Sequence, residues 1–279
     1  MQSVYYIDNT FVKENSTQYI LSIRYSTDGL SFCIHDYNNK LLVFFYQPFS
    51  LDTKDAVIAK VKKIIVDEEM LNLKYKKVYI LPCNKEKIIL PAHAFSKEYL
   101  TDMYRVCLQP EKNDTLLYRK IKIMESYIVE ALPRNFVNFL TARYQSLCIV
   151  NSAYPFIVNS LSNILFNTNH LFIDIHDQYF DLLLTRSNEV LLFNSFAYGS
   201  VPDIIYYALN CMKQCNVSKD NLQTTISGNL VNDPTFRDKI GQYIPNVTIS
   251  DYPPLSQLVK QQELNTSCFI HLLSMHKCE

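Results

Sequence analysis

The sequence predicts an α/β protein built from two copies of one unit, a three-strand antiparallel meander that feeds a helix and then further strands. Two stretches carry this expectation. Between 169 and 201, the apolar runs Leu171–Ile175, Phe180–Leu184 and Val190–Phe193 are separated by short polar turns, and a helix-type pattern follows from Asp203. Residues 18 to 66 repeat the same order. Composition is the third observation. The 279 residues are 48% hydrophobic and 19% charged, enough apolar material for a large core and too little charge for a disordered chain.

Elements are taken in order. Residues 1–17 are polar and irregular, the pattern of a short edge strand or arm. Tyr19–Tyr25 is a strand, Ser26-Thr27-Asp28-Gly29 a turn with a strong hairpin signal, Leu30–Asp36 a second strand and Leu41–Tyr46 a third. Thr53 offers a cap to a helix over Lys54–Leu73, whose apolar positions Val57, Ile58, Val61, Ile64 and Ile65 recur at three- and four-residue spacing. Lys77–Pro82 is a short buried strand, and Asn84–Leu90 another that ends at Pro91. Ser96 caps a helix to Leu108 with Tyr99, Leu100, Met103 and Val106 on one face.

After a polar loop at 109–116, Leu117–Met124 and Ser126–Leu132 pair as a hairpin. Pro133 starts a helix over Arg134–Tyr144, Gln145–Asn151 is a strand, and Pro155 starts a helix over Tyr154–Ile164. The second meander follows, then a helix over Asp203–Gln214, a strand over Asn221–Ser227, a helix over Asp233–Tyr243 and a last short strand over Ile244–Ser250. The tail carries Pro253-Pro254, a helical run from Leu255 and an apolar stretch at Cys268–Leu273.

Several function classes are disfavoured. Lys plus Arg equals Asp plus Glu at 27 each, so no net field favours nucleic acid or an anionic membrane. No apolar run approaches the ~18 residues of a spanning helix, and no direct membrane insertion is expected. The eight cysteines are scattered through apolar runs of a large chain, which argues against a disulfide scaffold and for a reducing, cytoplasmic location. With four glycines in all, the chain has few places for a phosphate cradle, which needs backbone free of Cβ at several positions. There is no G-x-S-x-G stretch and no paired-carboxylate site. Cys268 and His271 would share a helix face at i,i+3, but His276 and Cys278 fit no common zinc spacing, so no metal is expected there.

A duplicated unit of order β-β-β-α-β-α resembles the actin-like ATPase superfamily of actin, sugar kinases and Hsp70-type chaperones. The segment 115–152 falls where the cell-division and type IV pilus members carry an extra subdomain, and Lys77–Pro91 (KVYILPCNKEKIILP) resembles the pilus-type strand pair ending in proline. More closely, the chain resembles an uncharacterised Bacteroidetes family with a degenerate actin-like fold. The resemblance implies a duplicated ribonuclease H-like fold, two halves each with a mixed five-stranded sheet flanked by helices, plus a small inserted α+β subdomain. The expected division is 1–166 with an insert at about 112–152, then 167–279 with a C-terminal helix.

In that superfamily each half's first hairpin carries an Asp followed by glycines, for hydrated magnesium and phosphate. Here Arg24 sits near the carboxylate position of the first half, with Asp28 and Gly29 later in the turn. In the second half, Ile173-Asp174-Ile175-His176-Asp177-Gln178 keeps the Asp and replaces the glycines by His176 and Gln178. The adenosine-side motif matches best, as Thr225-Ile226-Ser227-Gly228-Asn229. If a nucleotide binds, the resemblance assigns it to Asp28, Gly29, Asp174, Asp177, Ser227, Gly228 and Asn229. A plainer reading of Asp174 as a strand-end cap and Asp177 as a turn residue is preferred. Phosphoryl transfer depends on positioned Mg2+ and phosphate donors, so the losses disfavour hydrolysis. The expectation is a non-catalytic actin-like scaffold with no cofactor and no catalytic residue, binding an unidentified protein partner and self-associating through the insert or exposed strand edges. The alternative is an ATP-binding or ATP-hydrolysing enzyme that uses ATP and Mg2+ through Asp174, Asp28 and Gly228.

Overall fold

A computed structural model of the chain describes residues 3–162, 164, 167–187, 189–252, 255 and 264–278. The helical run expected from Leu255 falls mainly on 256–263, outside the described residues. The chain divides into two compact units, Met1–Tyr154 with Leu272–Glu279, and Pro155–His271.

The first unit opens with β1 (Val4–Ile7), β2 (Ile20–Ser26), β3 (Gly29–His35), β4 (Leu41–Pro48), α1 (Lys54–Asp67) and β5 (Lys77–Pro82). There follow β6 (Lys87–Pro91), α2 (Leu100–Cys107), β7 (Asp114–Ile121), β8 (Ser126–Pro133), α3 (Arg134–Arg143) and β9 (Leu147–Ile149). The main sheet runs β1-β4-β3-β2-β5-β9. β2 pairs antiparallel with β3 and parallel with β5, and β5 pairs parallel with β9. The sixth strand is β1, the edge strand expected within residues 1–17, laid antiparallel along β4. Helix α1 starts where Thr53 accepts the Ala56 N–H, and it buries Val57, Ile58, Val61, Ile64 and Ile65 as the spacing requires. It stops at Asp67, and a 3-10 turn over Glu69–Asn72 completes the expected length.

Three expectations shift in this unit. Helix α2 starts at Leu100 rather than Ser96 and buries Leu100 and Tyr104, while Tyr99 and Val106 face solvent. The small sheet is β6-β8-β7, so it begins at Lys87 rather than near 112. Phe136 and Leu140 of α3 join the core of the main sheet, and β9 extends that sheet. The small sheet has its own core of Ile88, Leu100, Tyr104, Val129 and Ala131.

The second unit holds most of α4 (Ala153–Ser162), then β10 (Asn169–Ile175), β11 (Tyr179–Arg186), β12 (Glu189–Ala197), α5 (Val201–Gln214), β13 (Leu222–Gly228), α6 (Pro234–Tyr243), β14 (Val247–Ile249) and the start of α7 (Ile270–Ser274). Its sheet runs β12-β11-β10-β13-β14. This matches β4-β3-β2-β5-β9 strand for strand. In both, three antiparallel strands are followed by two parallel ones, and α1 answers to α5 as α3 answers to α6. Asp203 accepts the Gly199 and Ser200 N–H groups at 2.9 Å each and starts α5. Asp233 caps α6, with Pro234 in its first turn. The expected strand over Ile244–Ser250 shortens to β14, and Ile244 ends α6. The fold is therefore the duplicated actin-like one, two mixed sheets flanked by helices with a small inserted sheet.

Candidate functional site

Strand β10 lies at the centre of the second unit's sheet. Its register sets Asp174 beside Asp181 of β11 on one side and beside Ser227 of β13 on the other. The side chain of Asp174 is buried. Ser227 Oγ donates to Asp174 Oδ1 at 2.7 Å, and His271 Nε2, at the start of α7, stands 3.4 Å from the same oxygen. His176 Nε2 faces the other oxygen, 3.1 Å from Asp174 Oδ2, and is 3.5 Å from Asp181 Oδ2. Ser195 Oγ donates to Asp181 Oδ1 at 2.6 Å. The His176 ring stacks on Tyr179 at 4.3 Å, and its carbonyl accepts the Tyr198 hydroxyl at 2.7 Å.

Charge explains why such a cluster is tolerated. Burial alone would raise the pKa of Asp174, but the imidazoles of His271 and His176 override it and hold the carboxyl well below the usual carboxylate range. Burial would push His176 down, whereas the Asp174 carboxylate, helped by Asp181, lifts it to about 10. His176 is thus an imidazolium at neutral pH, held between two carboxylates.

The turn after β13 is engaged as well. Gly228 has φ +102°, and a Cβ there would lie 1.9 Å from the Ile175 carbonyl oxygen, so no other residue fits without moving β10. The Asn229 N–H donates to that carbonyl at 2.8 Å. The Gly228 N–H donates to Ser267 Oγ at 3.2 Å, and Asn265 Nδ2 bridges the carbonyls of Gly228 and Asn229 at 2.9 and 3.1 Å. Cys268 Sγ lies 3.2 Å from Asn229 Oδ1.

Asp174, Ser227, Gly228 and Asn229 come together at the ends of β10 and β13. Asp177 does not join them; it is exposed in the hairpin turn with Gln178. In the first unit, Asp28 sits in the hairpin turn with its carboxylate hydrogen-bonded by Ser26 Oγ and 3.5 Å from the buried guanidinium of Arg24. Gly29 is required by close approach, since a Cβ would lie 2.7 Å from the Tyr46 ring and 2.8 Å from the Gln47 carbonyl oxygen. Sequence reasoning missed Asp181, Ser195 and the seat of His271. The available signal was Asp181, a charge inside the apolar run Phe180–Leu184.

The chemistry open to the cluster is restricted. Ser227 and Asp174 both meet Nε2 of His271, so no Ser-His-Asp relay exists, which would use the two ring nitrogens separately. The two oxygens of Asp174 face different imidazoles, and among the described residues no three His, Cys, Asp or Glu side chains are placed to hold a metal ion. Cys268 and His271 are spent on Asn229 and Asp174. His276 instead packs against the His35 ring, tilted, at 4.1 Å, and Cys278 Sγ points to the Ser274 carbonyl at 3.6 Å. In this arrangement the Asp174 carboxylate and the Gly228 amide already have partners within the unit, which a hydrated Mg2+ with a triphosphate would have to displace.

A second buried polar group lies in the first unit. Glu130 Oε2 accepts from Asn151 Nδ2 at 3.2 Å and Asn84 Nδ2 at 3.4 Å. Burial pushes its carboxyl up to about 7 against the pull of the two amides and Lys87. Alongside, a groove of about 300 Å³ is lined by Leu116, Leu117 and Tyr118 of β7, Val137 and Thr141 of α3, and Leu147 and Ile149 of β9.

Topology and strand register define an actin-like ATPase fold, and comparison with solved structures agrees. The chain is similar to a protein from Bacteroides thetaiotaomicron described as having an actin-like ATPase fold and unknown function, with 24% identity, a TM-score of 0.78 and coverage of 90% of this chain and 99% of that one. It is also similar to a chain of the PilM–PilN type IV pilus biogenesis complex, with 12% identity, a TM-score of 0.55 and coverage of 93% and 98%. The chain belongs to the family described as protein of unknown function DUF3822, whose model matches residues 8–247. Comparison with curated proteins gives no match.

Proposed function

We propose that this chain is a pseudo-ATPase, a non-catalytic actin-like scaffold that binds another protein. The carrying observation is that the Asp174 carboxylate is engaged from within, by His176, His271 and Ser227. Phosphoryl transfer needs that carboxylate for a hydrated cation and needs open amides for phosphate. Here the Gly228 amide donates to Ser267, and in the first unit Arg24 stands beside Asp28. We take the two compact units as the two actin-like halves.

The groove beside β9 supports the binding half of the reading. Strands β7 and β9 are each the last in their sheet order, so both walls of the groove carry a strand border suited to an extended segment. The similar pilus protein is described in a complex, which favours a protein as the partner here too. The eight cysteines are free, which fits work in a reducing compartment. Calorimetric titration of the purified chain with Mg–ATP tests the proposal. No heat at millimolar nucleotide and no phosphate release are expected. Binding that weakens on Asp174→Asn would instead favour an ATP-binding or ATP-hydrolysing protein.

A further inference from the structure

We propose that Asn265–His271 is a releasable strap, an intramolecular ligand latched across the strand ends of the second unit. This rests on the scaffold reading of the site and adds its regulation. The strap addresses the turn group by group. Ser267 takes the Gly228 amide, Asn265 takes the two carbonyls that follow, Cys268 meets the Asn229 side chain, and His271 reaches Asp174 and Ser227. Thr266 Oγ1 holds the strap's own start, donating to Asp251 Oδ1 at 2.5 Å.

The hold is mainly polar. The strap is a 3-10 turn over Thr266–Phe269 without a side-chain cap, and it runs straight into α7. Phe269 is its deeply buried apolar side chain, while Asn265, Cys268, Ile270 and His271 are half-buried. Segments with few buried apolar contacts open at lower free energy than core strands. By contrast, β13 beneath it is paired on both sides, to β10 and to β14. Opening bares the Gly228 amide and two carbonyls and removes His271 from the Asp174 carboxylate, which keeps Ser227 and His176. The freed backbone groups are matched by a peptide segment with hydroxyl and amide side chains, the chemistry the strap itself supplies.

Cys268 reports the opening. In the full chain, alkylation of Cys268 is followed by peptide mass spectrometry, with exposed Cys107 as the internal reference. Replacing Asn265 and Ser267 together by alanine removes hydrogen bonds worth roughly one power of ten in the opening equilibrium, so labelling of Cys268 should accelerate about tenfold while Cys107 is unchanged. An unchanged Cys268 rate overturns the strap and leaves the scaffold reading standing. Hydrogen exchange on the unaltered chain guards against a variant that does not fold. Amides of 265–271 are expected to exchange faster than those of β13, and equal protection overturns the proposal. Heat on Mg–ATP titration of the unaltered chain would sink the scaffold reading instead.

Discussion

His176→Leu removes an imidazolium from between two buried carboxylates, and the structure fixes what is left behind. Asp181 is fully buried and retains the Ser195 hydroxyl, while Asp174 retains Ser227 and His271. Removing one partner of a buried ion pair costs roughly 3–5 kcal/mol, because the surviving charge has left water without compensation. Asp174→Asn costs about half as much, since His176 still has Asp181 at 3.5 Å and Ser227 still has an acceptor. The pH profile separates this cause from lost packing. His176 titrates near 6.5 when unfolded and near 10 when folded. Its contribution is complete below pH 6.5 and fades as pH rises toward 10, with a slope of about 1.4 kcal/mol per unit in between. Urea unfolding at pH 6, 8 and 9.5 measures the difference. The gap between the unaltered chain and His176→Leu should be widest at pH 6 and close by pH 9.5. A gap independent of pH would refute the ion-pair account.

Three further outcomes follow from the same coordinates. Gly228→Ala puts a methyl group on the Ile175 carbonyl at positive φ, and should cost at least about 3 kcal/mol in urea unfolding, in contrast to Gly241→Ala, whose site is open. His35 and His276 are bases held neutral, chiefly by burial, His276 near pH 4. Their contribution is intact above pH 6.5 and is lost as pH falls toward 4, so His276→Phe should flatten the acid limb of a Tm-against-pH curve. Glu130 is a buried acid raised to about 7, so its ionisation destabilises the fold as pH rises from 4.5 to 7. Glu130→Gln should match the unaltered chain at pH 4.5 and exceed it by about 1–3 kcal/mol at pH 8 in denaturant titrations.

The duplication was legible because it is written in local signals. The Asp28-Gly29 turn, the cap at Thr53, and the three- and four-residue spacing along α1 each act within a few residues of themselves. The small sheet was harder. β6 and β8 pair across an intervening helix and strand, and no local pattern tells Lys87–Pro91 which sheet it will join. For α2, Tyr99 and Val106 suit either a buried face or a wet one, and packing against the small sheet chose Leu100 and Tyr104. The site shows the same division. Asp174, Ser227 and Gly228 stood out as a motif. His271 lies 97 positions beyond Asp174 by residue number, and sequence proximity carries nothing about that meeting. Asp181 was visible as a charge in an apolar run, but its purpose depended on an imidazole supplied by the preceding turn.

Strand β1 has a practical consequence. It covers the outer border of β4, where Val4 faces Tyr46 and Ile7 faces Val43, and the family match begins at residue 8, just past it. Trimming the chain to the matched region would therefore strip the hem from the sheet and bare the main-chain amides and carbonyls along Leu41–Pro48, flanked by Phe44 and Phe45. Such a shortened protein would be prone to clumping through strand-to-strand adhesion, and a loss of solubility there would say nothing about how the intact molecule associates.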